Sequence, residues 1–348
     1  MKMNNILKYL AVIGVFFLLA YPSYYQEYKY GDPAISGQAD YYEYYKMYKD
    51  LDFESVAAPT NMRVISALVV HAIYKTGLYY PVEICFSNPQ YDQAVYFSAV
   101  MHNFLAGIIT CFLIFFLVYK NSGNFILSIL MGAGYLLSYS TVIWGSGGSV
   151  DGFSIMWFTI GLTLIEKKSF WVIPFISLTI FQRDVVLIAF GVFTFVSFFH
   201  AYIYEKKISK YSLYVFFTTL ISFIIMVWLR ETIFHTSDRW SGYTNVDFYG
   251  NVFDFPDLTI GRFLRGVIFS QNTFFIFLMF LTYKIRKRIA INKEKFYQLI
   301  LFFITMSVIC LLLKVLHEIG RYFNMASSAI FVYLGHEINH YYNNQNKI

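Results

Sequence analysis

The sequence predicts an all-α fold, a polytopic transmembrane helix bundle that forms a single domain over residues 1–348. Composition is the first sign, with 57% hydrophobic and 14% charged residues and a mean hydropathy of +0.51. Soluble domains carry roughly 25% charged residues. Apolar runs also recur at lengths near the roughly 20 residues that a helix needs to cross a bilayer. Finally, basic residues accumulate in alternate connecting segments.

We predict about ten membrane spans, several of them short. They are residues 6–22, 93–119, 124–143, 150–165, 169–182, 184–204, 211–229, 263–283, 296–316 and 322–338. The two large extracytoplasmic segments are then a first loop, residues 23–92, and a second loop, residues 230–262. Because residues 63–76 are apolar but short and charged at both ends, we interpret them as an interfacial helix of the first loop.

The first apolar run, LAVIGVFFLLAY, follows Lys2 and Lys8. Such a run could be a cleaved signal peptide or an uncleaved first span. We favour the span, because the following YPSYYQ lacks the small residues of a cleavage site. In either case, residue 22 onward emerges on the far side of the membrane.

The charge distribution predicts that both termini are cytoplasmic. With that orientation, the inner segments hold 15 basic and four acidic residues, and the outer ones hold 12 basic and 17 acidic residues. This is the bias that the positive-inside rule requires. A span at residues 63–76 would invert every later loop and place KIRKR outside. Because the chain encodes little beyond spans and short loops, we predict the plasma (inner) membrane of a bacterium.

The predicted topology brings the notable polar residues to the extracytoplasmic side. An ionisable side chain near the hydrocarbon costs roughly 2.5–3.5 kcal/mol at mid-helix, so chance does not explain Arg183, Asp184, Glu318 and Arg321. They could be interfacial charges that pair with one another, or they could form a functional site. The set is Asp40 to Glu54, Arg63, Asp151, Arg183, Asp184, Arg230, Glu231, Asp238, Arg239, His317, Glu318 and Arg321.

Residues 36–55 combine tyrosines with carboxylates. On a helix, Tyr41, Tyr44, Tyr45 and Tyr48 share one face at i, i+3, i+4, i+7 spacing, while Asp40, Glu43, Met47 and Asp50 share another. The tyrosine face suits the headgroup layer, where rings meet the apolar boundary and hydroxyls meet water. The segment is then either a membrane-surface anchor or a carboxylate platform for a lipid-borne substrate.

A series of short motifs carries a family resemblance. The first outer loop has G-x-x-D-x-x-x-Y (Gly37, Asp40, Tyr44) and then P-x-x-x-R (Pro59, Arg63). Asp151 follows a glycine-rich turn, Arg183-Asp184 begins a span, and E-x-x-R (Glu318, Arg321) lies between the last two spans. In order and sidedness this series resembles the GT-C superfamily of integral-membrane glycosyltransferases, which use polyprenyl-phosphate sugar donors. Larger members carry a C-terminal periplasmic domain, which we do not expect here, so we expect loops to recognise the acceptor.

The resemblance implies that Asp40 is the catalytic base and that the sugar carbon is inverted. Arg63, Arg183 and Arg321 are the candidates for the donor phosphate, which fits arginine's fork of donors. Asp151, Asp184 and Glu318 complete the expected substrate-binding residues. The expected partners are a polyprenyl-phosphate sugar donor, membrane lipids and a glycan, lipid or protein acceptor, without nucleic acid.

No cofactor is required by this chemistry, but a divalent metal is possible. Asp50 and Asp52 form a D-x-D pair that is a weak candidate for holding it. Three scattered cysteines, Cys85, Cys111 and Cys310, indicate neither a disulfide framework nor a zinc cluster.

Other functions compete with glycosyl transfer. Residues 336–340 read HEINH, the H-E-x-x-H pattern of zinc proteases, but no third ligand is evident. A polysaccharide polymerase also uses lipid-linked sugars and has an arginine-rich outer face. A lipid-linked sugar transporter is a third alternative, although no inverted repeat supports it.

Overall fold

A computed structural model of the chain describes most of its length. The described ranges are residues 3–31, 41–56, 60–81, 92–138, 141–206, 209–234, 292–312 and 319–345. The predicted base Asp40, the motif residues Gly37 and Pro59, Glu318 and the predicted span 263–283 lie outside them.

In the described ranges every regular element is a helix and no strand is present, which confirms the all-α prediction. The longer helices are α1 (Met3–Tyr30), α2 (Tyr41–Asp50), α3 (Val64–Lys75), α4 (Gln93–Ser122), α5 (Phe125–Leu136), α6 (Asp151–Glu166), α7 (Val172–Leu178), α8 (Asp184–His200), α9 (Lys210–Thr232), α10 (Lys293–Leu312), α11 (Ile319–Phe323) and α12 (Ser327–Gln345). Short 3₁₀ turns at Thr60–Met62, Thr179–Phe181 and Asn324–Ala326 and π-helical turns at Thr141–Gly145 and Ala201–Glu205 link some of them.

Among the residues that the structure describes, four helices are long and apolar enough to cross a membrane, namely Ile6–Tyr30, Gln93–Ser122, Asp184–Tyr204 and Lys210–Thr232. The predicted count of about ten spans is not supported. Helix α5 has 12 residues and α6 has 16. At 1.5 Å per residue these helices are shorter than the roughly 30 Å hydrocarbon core. In these two helices, an apolar run in the sequence does not correspond to a full-length span.

Helix α1 is longer than the sequence predicts, because it continues through Pro22 to Tyr30 instead of ending at residue 22. Its added turns pack on α4. The Tyr24 ring lies 5.2 Å from the Phe104 ring, and the Tyr28 ring lies 5.2 Å from the Phe97 ring. These aromatic contacts stabilise helix beyond the proline, which itself removes one backbone hydrogen bond.

The helices of the bundle run between two ends with different chemistry. At one end, Tyr24 contacts the carbonyl of Gly145 at 3.5 Å. At the other, the Lys8 ammonium lies 2.8 Å from the Tyr119 hydroxyl. We call these the site end, which holds residues 145–151, and the basic end, which holds Lys8 and the lysine-rich ends of α4, α6, α8 and α10.

The tyrosine face of α2 does not lie in a headgroup layer, which corrects the sequence interpretation. The side chains of Tyr41, Tyr44 and Tyr48 are fully buried in the protein, and so is Met47, which was expected on the polar face. The Tyr41 ring packs edge-on against Tyr96 of α4, at 5.3 Å between centroids. Helical periodicity correctly identified tyrosines that share a face. That face contacts other helices of the protein and not lipid headgroups.

Candidate functional site

The glycine-rich turn before α6 is held by a buried asparagine of α4. Asn103 donates from Nδ2 to the carbonyl oxygens of Gly147 and Ser149, the latter at 2.6 Å. Its Oδ1 accepts from the backbone N–H of Phe153 at 3.0 Å. One amide side chain therefore satisfies three backbone groups of a buried turn, which would otherwise cost free energy.

Glycine is required in this turn because the tyrosines of α2 and α4 approach its backbone. A Cβ built at Gly148 would lie 2.8 Å from Cδ2 of Tyr41 and 3.2 Å from Cε2 of Tyr96. The Tyr48 hydroxyl also donates to the Gly148 carbonyl at 3.3 Å. The tyrosine helix thus fixes the turn that precedes Asp151.

Asp151, the first residue of α6, lies at the centre of a buried ion-pair cluster. Its Oδ1 pairs with Nη1 of Arg183, and its Oδ2 pairs with Nε of Arg321 at 3.0 Å. The Ser149 hydroxyl donates to the same Oδ2 at 2.8 Å. The aspartate, Arg183 and Arg321 have relative exposures of 3%, 4% and 8%. Two guanidinium groups and a hydroxyl donor favour the ionised carboxylate despite its burial.

Within the described part of the cluster, one aspartate is shared by two arginines. The Nε of Arg183 is buried and has no hydrogen-bond partner among the residues that the structure describes. Neighbouring Gln182, also buried, accepts from Ser66 of α3 at 3.1 Å and donates to Ser154 of α6 at 3.3 Å. The turn that carries Arg183 is therefore anchored on both sides.

A small cavity continues from this cluster toward the ends of α3 and α9. It is lined by Met62, Arg63, Ile180, Gln182, Arg183, Asp184, Met226 and Arg230. Its volume of about 20 Å³ accommodates roughly one water molecule, so a larger anion would require its walls to separate. Asp184 contributes the carboxylate of this cavity.

Arg63 belongs to the same neighbourhood through α2. The centre of its guanidinium lies 5.5 Å from the Tyr44 ring centroid, a cation–π distance. Arg230, near the end of α9, lines the cavity from the opposite side. Four arginines occur in the described ranges, and all of them lie at the site end: Arg63, Arg183, Arg230 and Arg321.

The structure thus brings together five of the predicted site residues, namely Arg63, Asp151, Arg183, Asp184 and Arg321. It adds four residues for which the sequence argument made no site assignment: Asn103, Ser149, Gln182 and Arg230. Of these, Arg230 had a usable signal, because it is a basic residue at the end of a predicted span. The asparagine, serine and glutamine become visible only through their contacts.

The D-x-D pair lies at the end of α2, with Asp50 as its last residue and Asp52 on the segment that follows. Asp50 is exposed, and the Oδ1 of Asp52 accepts the backbone N–H of Ser55 at 3.1 Å. Hydrogen bonds from the Ser55 side chain and backbone lower the pKa of Asp52 below its ordinary value. In the described ranges no three His, Cys, Asp or Glu residues are arranged to hold a metal ion.

The H-E-x-x-H segment lies on α12 at the basic end. His336 Nε2 lies 2.8 Å from the side-chain nitrogen of Asn121, and Glu337 Oε1 accepts the backbone N–H of Asn292 at 3.4 Å. These contacts give the first two motif residues roles in joining α12 to α4 and α10. They offer no support for a zinc-protease site.

The candidate site is defined by the buried polar cluster around Asp151 and not by similarity to a known protein. Comparison of the chain with protein-family models, with curated proteins and with solved structures gives no match.

Proposed function

We propose that the chain is a membrane glycosyltransferase that moves a sugar from a polyprenyl-phosphate donor to a cell-envelope acceptor on the extracytoplasmic side. The observation that supports the proposal is the buried Asp151–Arg183–Arg321 cluster beside the Arg63 and Arg230 cavity. Four arginines gather at one end of the described bundle, and such a group of guanidinium groups suits an anionic phosphate. Arginine is the residue of choice for bidentate recognition of phosphate.

In the proposed reaction, the acceptor hydroxyl attacks the anomeric carbon of the sugar. The bond between that carbon and the phosphate oxygen breaks, and the phosphate leaves with the electron pair. Asp40, the base implied by the family resemblance, takes the acceptor proton. The arginines bind the phosphate as its negative charge develops, which lowers the barrier where charge accumulates. Inversion at the anomeric carbon follows from this single displacement.

The aspartate of the cluster has a different role from the base. Asp151 already accepts hydrogen bonds from Arg183, Arg321 and Ser149. Such a carboxylate is a poor proton acceptor, but it fixes the two guanidinium groups in place before the donor binds. We therefore assign proton transfer to Asp40 and positioning to Asp151.

The proposal includes a multi-pass topology, cytoplasmic termini and a bacterial plasma membrane. End-to-end asymmetry supports the orientation, because Lys8 and Lys295 lie at the basic end while the arginines gather at the other end. Positive residues accumulate on the cytoplasmic side of membrane proteins. The site end would then face outward.

The donor class can be tested with the purified protein in lipid nanodiscs. We expect sugar transfer when a polyprenyl-phosphate sugar is supplied and none when the corresponding nucleotide sugar is supplied without a lipid carrier. Transfer from the nucleotide sugar alone would refute the proposal. A product ladder of whole repeat units would instead assign the chain to the polymerases.

A further inference from the structure

A second polar cavity lies at the basic end, away from the proposed catalytic cluster. Helices α6, α8, α9, α10 and α12 surround a volume of about 300 Å³, at the lower limit of small-molecule sites. Its lining includes two lysines and two glutamates, Lys168, Lys295, Glu166 and Glu294, together with His200. Oppositely charged groups around open space are an unusual way to end a helix bundle, since buried charges normally close on one another.

The wall of this cavity is fixed by a chain of hydrogen bonds. Ser197 of α8 donates to Glu294 Oε1 at 2.7 Å, and Gln298 of α10 donates to the Ser197 hydroxyl at 2.7 Å. Tyr333 of α12 donates to Gln298 Oε1 at 2.8 Å. Three helices are thereby tied together, so the cavity is a built feature and not a gap between loosely packed elements.

The central charges of the cavity are only loosely paired. Lys295 Nζ lies 3.8 Å from Glu166 Oε1, and the two side chains are 25% and 21% exposed. The same ammonium lies 4.7 Å from the centroid of the Tyr333 ring. At that separation, each charged group keeps hydrogen-bonding capacity for a ligand that enters the cavity.

The cavity lies next to apolar surface of the kind that faces lipid. His200 and Ala201 line it, and the next three residues, Tyr202, Ile203 and Tyr204, are all more than half exposed. Exposed tyrosines beside aliphatic residues are typical of the membrane interface. A molecule held partly in the bilayer could therefore reach the charged lining.

We propose that this cavity binds the headgroup of a zwitterionic phospholipid with a primary ammonium, the phosphoethanolamine type. Its phosphate would contact Lys168 and Lys295, and its ammonium would donate to Glu166. In the described lining, equal numbers of lysine and glutamate match a headgroup that carries one charge of each sign. A purely anionic headgroup would leave the carboxylates opposed, and a quaternary ammonium has no N–H to donate. The inference needs only a membrane protein and is independent of glycosyl transfer.

The test uses the purified full-length protein and native mass spectrometry with three lipids of identical acyl chains. We expect phosphatidylethanolamine to bind about tenfold more tightly than phosphatidylcholine, because each N–H to carboxylate bond is worth roughly that factor. Equal binding of these two, or preference for phosphatidylglycerol, would overturn the proposal. This comparison uses the unaltered chain, so its outcome cannot be affected by misfolding of a variant.

A matched pair of variants then locates the site. Glu166→Gln should reduce phosphatidylethanolamine binding to the level of phosphatidylcholine. Glu231→Gln, an exposed glutamate of α9 at the site end, should leave the preference intact. An unchanged preference in Glu166→Gln, measured on protein with wild-type Tm, would refute this cavity as the site.

Discussion

The two ends of the bundle use charge in different ways. At the site end, one aspartate pairs with two arginines in a cluster whose members are at most 8% exposed. At the basic end, Lys295 and Glu166 stand 3.8 Å apart and are partly exposed beside about 300 Å³ of space. Planar guanidinium groups lock into fixed hydrogen-bond geometry, whereas the lysine ammonium is a flexible point charge. The first arrangement suits preorganised chemistry, and the second suits reversible binding.

The largest effect that this comparison predicts is on turnover. Asp40→Asn keeps the size of the side chain but removes the proton acceptor, and general-base catalysis typically contributes 10²–10⁴-fold. We expect turnover to fall by at least about 100-fold while expression and donor binding persist. Initial rates of sugar transfer in nanodiscs measure the effect.

The control for that prediction is Glu43→Gln in α2. We expect it to lower turnover much less than Asp40→Asn does. If Asp40→Asn retains near-normal turnover and Asp50→Asn or Asp52→Asn loses it, the D-x-D pair becomes the leading assignment. If none of these carboxylates matters, α2 has only a packing role.

Substitutions at the two ends should also differ in how much they lower the free energy of unfolding. Asp151→Asn removes the charged carboxylate that Arg183 and Arg321 share, and breaking a buried ion pair costs about 3–5 kcal/mol. Glu166→Gln breaks a long, partly exposed pair, for which we expect at most about 1 kcal/mol. Thermal unfolding of both variants in the same detergent tests this. Similar losses at the two ends would contradict the contrast between a locked and an open arrangement.

We expect a smaller loss of stability from a substitution in the glycine-rich turn before α6. Gly148→Ala places a methyl group 2.8 Å from the Tyr41 ring, and overpacking of this kind costs about 1–3 kcal/mol. Gly191→Ala is the matched control, because its new Cβ meets only Thr219 Cγ2 at 3.8 Å. Within a helix that change should be neutral or slightly stabilising. Unfolding midpoints that fall equally for both glycines would show that the tyrosines do not constrain the turn.

The sequence predicted much of the site because charge sidedness carries long-range information. Asp151, Arg183 and Arg321 are far apart in the chain, the predicted alternation of spans and loops assigns them to one side of the membrane, and the structure brings them into contact. Their pairing distances could not be predicted, since helix rotation and tilt depend on packing. Arg230 was recognised as an outer-loop charge but not as part of the cavity, for the same reason.

The wrong predictions about α2 and α5 have the same physical origin. The sequence shows that a helix face is apolar, but it does not show whether lipid or protein contacts that face. The spacing of Tyr41, Tyr44 and Tyr48 correctly indicated one helical face, but lipid headgroups and a protein core both accept tyrosine rings. Apolar runs such as residues 124–143 likewise suggested full spans, whereas α5 ends at Leu136. Hydropathy measures what a segment prefers to contact, and it does not distinguish lipid from neighbouring helices.

The most direct test of the account is binding of a polyprenyl phosphate to the site-end arginines. The measurement is a binding isotherm in nanodiscs for the unaltered chain, Arg230→Gln and Lys206→Gln, an exposed lysine at the basic end. A charge-assisted hydrogen bond is worth about 1.5–3 kcal/mol, so Arg230→Gln should weaken binding by about tenfold or more, with Lys206→Gln unchanged. Equal affinity of all three proteins, or loss only in Lys206→Gln, would contradict the assignment of the donor phosphate to the site end.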